Sequence, residues 1–344
     1  MATQVFILLV VFYLIFFILS LTLFLKFRQE ILIKQLIVFV LIILAVLSHN
    51  YSVDYGNHVA MYNEAVAGIL KHEISYYLLA RFVDLFSGTP FLLFLLYAVM
   101  GVTVKYKALS QLTEFLFPSL LIYFSYFFIL HDVTQIRAGV SSAFVLMSIT
   151  ALPDRNKFRF FIFAFLAVLF HYSALIILPL IFLNGNRIQI IYFFLIPLGF
   201  IIWALNINLS GFLSHIHFEQ IQVKYQTYLQ LAASEQIDLI NLLSFSRIIF
   251  CYILLWKWEY LAEKSRYAVV IIKIYILSSL SFIVFSDIPT LAFRVSELLG
   301  IVEIVLIPYI LYLIKNRTIG KLILSFIALG FLCLTLLYER IIAF

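Results

Sequence analysis

The sequence predicts an all-α polytopic integral membrane protein of about twelve membrane segments. Three observations carry that reading. Hydrophobic residues make up 65% of the chain and charged residues only 12%. Mean hydropathy is +1.12, far outside the range of soluble domains. Apolar runs near the roughly 20 residues a spanning helix needs follow one another from end to end, with no inserted soluble domain, repeat or low-complexity linker.

The segments fall near 5–25, 33–48, 91–104, 115–130, 133–152, 158–170, 172–184, 188–206, 242–256, 267–286, 296–314 and 319–338. No basic stretch precedes the first run and no small-residue cleavage site follows it, so residues 5–25 are expected to be a retained helix. Abundant Phe and Tyr suit lipid-facing and interfacial positions. Residues 1–344 read as a single transmembrane domain with two polar excursions, 49–90 and 207–241. The first contains a predicted surface helix, Val59 to Phe86, with Tyr62, Val66, Ile69 and Leu70 on one face. Cys251 and Cys333 both lie in apolar runs, against a disulfide framework or a thiolate metal site.

The net charge of +6 is not a nucleic-acid signal here, because excess Lys and Arg in a membrane protein mark cytoplasmic loops. Alternate connections carry Lys26, Arg28 and Lys34; Lys105 and Lys107; Arg155, Lys157 and Arg159; Arg187; Lys257, Lys264 and Arg266; and Lys315, Arg317 and Lys321. The other set holds only Lys71, Arg81, Arg137, Lys224, Arg294 and Arg340. The first set is therefore expected to be cytoplasmic, with both termini outside.

Phe170-His171-Tyr172-Ser173 interrupts the apolar run 158–183. A histidine, a phenol and a hydroxyl are costly in lipid and mark a functional-site hypothesis. A single straight crossing here would put the basic clusters at 257–266 and 315–321 outside, so the chain should enter before His171 and return after it. Thirteen helical residues reach only about 20 Å, short of a hydrocarbon core of about 30 Å. The pair is then either two tilted segments or a re-entrant pair around His171, the latter leaving ten crossings, with Pro179 in the return arm.

This topology gathers the polar residues on the outer side. Asp54 could act as a base or accept a hydrogen bond from a sugar hydroxyl; the plainer reading is a solvated loop acid. Arg137 lies in His131-Asp132-Val133-Thr134-Gln135-Ile136-Arg137-Ala138-Gly139. Thr134 and Arg137 would share a helix face, and Gly139 would allow close helix approach. The guanidinium fork suits a phosphate; a snorkelling interfacial arginine is the plainer reading. Arg294 is a second candidate clamp or an ion-pair partner of a nearby acid, and Arg247, with Ser244 on its face, a third. His171 could deprotonate a hydroxyl or hold a carbonyl freed by the helix break. His215-Ile216-His217-Phe218-Glu219 could ligate a metal only if extended, so an ordinary loop is the stronger reading and no metal is assigned. Glu303 reads as a mid-helix acid that could pair with Arg247 or Lys273 or carry protons. No phosphate loop, nucleophile elbow or His-Glu-x-x-His occurs.

In this order, Asp54 with its following tyrosine, Gln135-Ile136-Arg137-Ala138-Gly139, Phe170-His171-Tyr172-Ser173-Ala174-Leu175 and Arg294-Val295-Ser296 before Ile307-Pro308 resemble the EpsG-like family of Wzy-type bacterial polysaccharide (O-antigen) polymerases. The run 207–241 matches no pattern of that family. The resemblance implies a GT-C-like membrane glycosyltransferase in the bacterial plasma membrane, working at the outer leaflet without a cofactor or nucleotide sugar. Its substrates would be undecaprenyl-pyrophosphate-linked glycans, and a chain-length regulator would be a candidate partner. It places His171 as base, Asp54 as the residue orienting the acceptor, Arg137, Arg294 and Arg247 at the pyrophosphate, and Tyr55, His131, Asp132, Gln135 and Tyr172 at the glycan. Three rivals stand beside it. A lipid-linked oligosaccharide flippase should show repeat symmetry. A glycan ligase needs the same pyrophosphate chemistry. A membrane O-acyltransferase would want its histidine reachable from the cytoplasm.

Overall fold

A computed structural model describes residues 2–25, 30–183, 185–207, 226, 229, 237–239 and 241–338. Among these every regular element is helical. Among the described residues four helices are long and apolar enough to span a membrane: Glu30–His49, Phe91–Leu112, Leu116–Thr134 and Arg317–Leu337. A fifth span results if Pro289–Gly300 and Glu303–Leu313 are one broken crossing. The other predicted segments correspond to shorter apolar helices, including Ile136–Ile149, Ile191–Ala204, Leu242–Trp256 and Ala268–Val284. The chain divides into two compact units, Met1–Leu178 with Glu303–Phe344, and Pro179–Val302.

The first unit opens with α1 (Ala2–Thr22) and α2 (Glu30–His49), then α3 (Tyr55–Val66), α4 (Ile74–Ser87) and α5 (Phe91–Leu112). Helix α6 (Leu116–Ile122) continues as a π-helix over Tyr123–Thr134; α7 (Ile136–Ile149) and α8 (Lys157–Phe170) follow. Helix α2 leaves Leu36, Phe39 and Leu47 more than half exposed, as a lipid-facing stripe requires. Asn156 caps α8 by accepting from the Arg159 amide at 3.0 Å, which satisfies one of the amides a helix start orphans. Helix α7 packs closely because its inner face is small: Ser141 Oγ donates to the Ala167 carbonyl of α8 at 2.9 Å. A Cβ on Gly139 would sit 2.6 Å from the His131 carbonyl, which is the close approach expected of that glycine.

Several expectations are corrected. The predicted helix 91–104 ends where Lys105 would be a loop charge, but α5 runs on to Leu112 with Lys105 fully buried inside it. The buried positions Phe94, Ala98, Gly101, Lys105, Ala108, Leu109 and Leu112 form one continuing face, so Lys105 leaves the set of loop charges. The surface helix expected from Val59 to Phe86 is two helices, parted at residues 67–73, where Gly68 takes φ +86. Tyr62 is buried on α3 while Ile69 and Leu70 are exposed in the link, so the predicted shared face does not form. The expected helix 133–152 starts later, because Gln135 breaks the backbone with φ −89 and ψ 60. Thr134 and Arg137 therefore belong to different elements, and Arg137 stands in the first turn of α7. The segment after His171 is a 3₁₀-helix, Tyr172–Phe182, containing Pro179, which has no amide hydrogen to donate. The expected helix 296–314 is broken into short pieces, and Glu303 begins the one-turn Glu303–Leu306 instead of lying mid-helix.

The second unit contains α9 (Ile191–Ala204), α10 (Leu242–Trp256), α11 (Trp258–Lys264), α12 (Ala268–Val284) and α13 (Pro289–Gly300). Helix α12 is buried along most of its length. Gly199 brings α9 against it, since a Cβ there would meet Leu280 Cδ1 at 2.8 Å. Ser278 Oγ ties α12 to α13 by donating to the Ser296 carbonyl at 2.7 Å.

Candidate functional site

Three elements of the first unit converge on one carboxylate. Glu73 is the N-cap residue of α4 and its side chain is 0% exposed. Its Oε2 takes a charge-assisted hydrogen bond from Nη1 of Arg137. Its Oε1 lies 3.3 Å from Nδ1 of His171. His171 is where α8 stops: Phe170 ends the helix and His171 is extended, with φ −156 and ψ 117. The interruption thus falls at the polar residues that the apolar run could not accommodate.

Local bonds fix this meeting point. Ser75 Oγ, in the first turn of α4, donates to the Leu169 carbonyl near the end of α8. Tyr76 donates to the His58 carbonyl at 2.7 Å. Tyr97 of α5 packs its ring 5.8 Å from both Tyr76 and Phe170. On the side of the α3–α4 link, Glu64 accepts from Lys71 at 3.2 Å and contacts His72 Nε2 at 3.1 Å. Those two bonds hold the Glu64 carboxyl below its ordinary pKa. Burial, and then the Arg137 charge, push His72 down. Burial likewise pushes His58 down to about 2, with further lowering from His49, Arg137 and His72.

A second ionic cluster meets the start of α7 at the Gly139 carbonyl. Lys105 Nζ donates to both oxygens of Asp132 at 2.9 Å and to the Gly139 carbonyl at 2.7 Å. Tyr123 adds a hydrogen bond to Asp132 at 2.7 Å. The two charged side chains are 0% and 1% exposed. A side chain at Gly101 would overlap Asp132 Oδ1, so the small residue makes room for the pair.

The sequence-predicted residues are distributed as follows. Arg137 and His171 are joined through Glu73. Asp54 is half-buried just ahead of α3 and takes a long hydrogen bond from Asn57. Its neighbour Tyr55 stands edge-on to His49 with ring centres 5.7 Å apart. His49 is anchored to the Val133 carbonyl at 2.6 Å. Asp132 is enclosed by Lys105 and Tyr123, and His131 is buried with Nδ1 3.3 Å from Ser142 Oγ. Gln135 is half-buried at the break before α7, and Tyr172 half-buried just after His171. Arg294 and Arg247 belong to the second unit. Arg247 lines a shallow cleft with Ser244, Ser278, Ser279 and Ser296; Arg294 is half-buried on α13. His215, His217 and most of the 207–241 excursion lie outside the described residues. Among the described residues no three His, Cys, Asp or Glu are grouped to hold a metal.

Two residues escaped the sequence reading. Glu73 carried a signal, an acid directly ahead of the periodic apolar helix that starts at Ile74. Lys105 carried another, the apolar face that continues past it to Leu112. Neither signal identifies the partner, which comes from a distant part of the chain.

Comparison with known proteins adds three findings. A family model described as the EpsG family matches residues 33–343. The amylovoran biosynthesis protein AmsC of Erwinia amylovora is 27% identical over 143 residues, 40% of this chain and 38% of that protein; the match thus spans well under half of the relative's length. No solved structure matches.

Proposed function

Because the chain belongs to the EpsG family, we propose that it is a membrane-embedded glycosyltransferase of polysaccharide biosynthesis, joining lipid-linked oligosaccharide repeat units into a polymer. The relative's role in amylovoran biosynthesis supports the polysaccharide class. The observation that carries the reaction type is the pairing of Arg137 and His171 on one buried carboxylate. It joins a phosphate-binding fork and a proton acceptor in a single cluster.

In this reading the acceptor's hydroxyl attacks the anomeric carbon of the donor glycan. A new C–O bond forms, the bond from that carbon to undecaprenyl pyrophosphate breaks, and the pyrophosphate leaves with the electron pair. His171 Nε2 takes the hydroxyl proton and passes it to solvent or to the departing lipid. Arg137 stabilises the charge that builds on the pyrophosphate; a preorganised donor of this kind is worth most where charge develops. Asp54 would orient the acceptor; Arg247 and Arg294 are candidate phosphate-binding residues of the second unit taken by itself. The geometry supports Asp132 less well as a glycan contact, because its oxygens are already engaged by Lys105 and Tyr123. Chemistry of this kind belongs at the exterior face of the plasma membrane.

Gene deletion followed by a gel of surface glycan tests the reading. Loss of the ladder with single-repeat-capped lipid remaining is the expected result. A full-length ladder detached from its anchor would replace the polymerase reading with a ligase.

A further inference from the structure

We infer that Glu73 is the positioning residue of this site: its charge steadies the His171 ring and it aims the Arg137 guanidinium, without meeting substrate itself. The inference rests on the glycosyl-transfer reading. Its first support is the order of exposure. Glu73's side chain is 0% exposed, while Arg137 keeps 21% and His171 9%. A substrate therefore meets the two basic side chains, and the carboxylate lies behind them. Its second support is the division of labour between the oxygens, Oε2 to Arg137 Nη1 and Oε1 to His171 Nδ1 at 3.3 Å.

The chemistry follows from that arrangement. Nδ1 faces Glu73 in a 3.3 Å ionic contact, which leaves Nε2 as the nitrogen that receives the acceptor's proton. Once Nε2 is protonated, the ring is a cation 3.3 Å from a carboxylate in surroundings that exclude water, and the carboxylate stabilises it. A carboxylate behind a catalytic imidazole acts this way in hydrolase triads without taking the proton. The carboxylate also holds Arg137 in place, so that its planar fork is ordered before the pyrophosphate arrives. The backbone carrying Glu73 is fixed to the end of α8 by the bond from Ser75 to the Leu169 carbonyl, two residues away from each partner.

The test is chain extension by the full-length protein reconstituted in lipid vesicles. The substrate is undecaprenyl-pyrophosphate-linked repeat units from a strain lacking the gene. Glu73→Gln should lower kcat by about 100-fold, the usual scale of a lost general-base contribution, with KM changed by no more than about threefold. Glu73→Asp, which keeps the charge, should recover part of that loss. The double variant Glu73→Gln/His171→Asn should be no slower than the slower single variant, because residues acting as a unit are not additive. Additive losses, or a wild-type rate for Glu73→Gln, overturn the inference. Full loss in His171→Asn with a wild-type Glu73→Gln sinks the role of Glu73 alone. A wild-type rate in His171→Asn sinks the base assignment and, with it, the action of Glu73 through that base. Should Glu73→Gln fail to accumulate, Glu73→Asp against His171→Asn reads the same non-additivity.

Discussion

Two ionic clusters meet the first turns of α7, and their exposure separates them. Lys105, Asp132 and Tyr123 form one; its charged side chains are 0% and 1% exposed, and its lysine also holds the Gly139 carbonyl. Glu73, Arg137 and His171 form the other, in which the acid is sealed and the two basic groups keep 21% and 9% of their surface. The sealed pair ties α5, the π-helix and α7 together and has no side chain left to offer a substrate. The open cluster buries its acid as fully but leaves its two basic groups at the boundary. A buried ion pair is weak evidence for stability, because desolvation offsets its attraction, yet removing one partner strands a charge. The comparison teaches that burial of the acid alone does not distinguish the two clusters; the asymmetry between acid and base does.

The comparison can be broken by substitution. The largest expected effect is at the sealed pair: Asp132→Asn or Lys105→Met leaves one uncompensated charge, at a cost of about 3–5 kcal/mol. Unfolding of the detergent-solubilised protein should show it as loss of folded material, and Lys105→Met with Asp132→Leu should fold better than either single change. If the singles fold normally but lose activity, the sealed pair belongs to the chemistry. At the open cluster, Arg137→Ala mixes two effects, since it also strands Glu73. Arg137→Lys keeps the charge and removes the fork. Chain extension should fall by about tenfold or more, or about 1.4 kcal/mol in transition-state stabilisation, with membrane abundance unchanged. Unaltered extension would take the guanidinium out of the pyrophosphate role.

Between the clusters, Gly139→Ala drives a methyl into the His131 carbonyl at 2.6 Å. Overpacking of this kind costs about 1–3 kcal/mol, measurable as a lower unfolding midpoint. The smallest effect is from pH. His58 is held near 2 in the fold against about 6.5 unfolded, so its contribution is complete above 6.5 and shrinks as pH falls below it. Acidifying from pH 6.5 to 5.5 should weaken the α3–α4 region by about 1 kcal/mol, seen as faster proteolysis at residues 67–73. His58→Gln should flatten that dependence.

Much of the architecture was legible in residue order. Hydrophobic runs located most helices to within a few residues, because a helix in lipid must satisfy its own backbone bonds and cover them with apolar side chains. The break at His171 was legible because a polar group inside such a run is costly wherever the rest of the chain goes. The charged partners were not. Lys105 looked like a loop residue because a lone lysine is a membrane boundary unless an acid meets it, and Asp132 lies 27 positions away. Glu73 looked like part of a polar loop because its partners are 64 positions away at Arg137 and farther still at His171. The short irregularities at Gln135 and through residues 172–182 were also hidden, since they answer to packing and not to period.

By itself, then, the sequence determined a helical membrane protein with a family pattern and a helix break at His171. Those are local consequences of hydrophobicity and of the expense of polar groups in lipid. Only tertiary structure decided which charges neutralise one another. That choice depends on distances between segments far apart in the chain, and it separates Asp132, enclosed with Lys105, from Glu73, which stands behind Arg137 and His171.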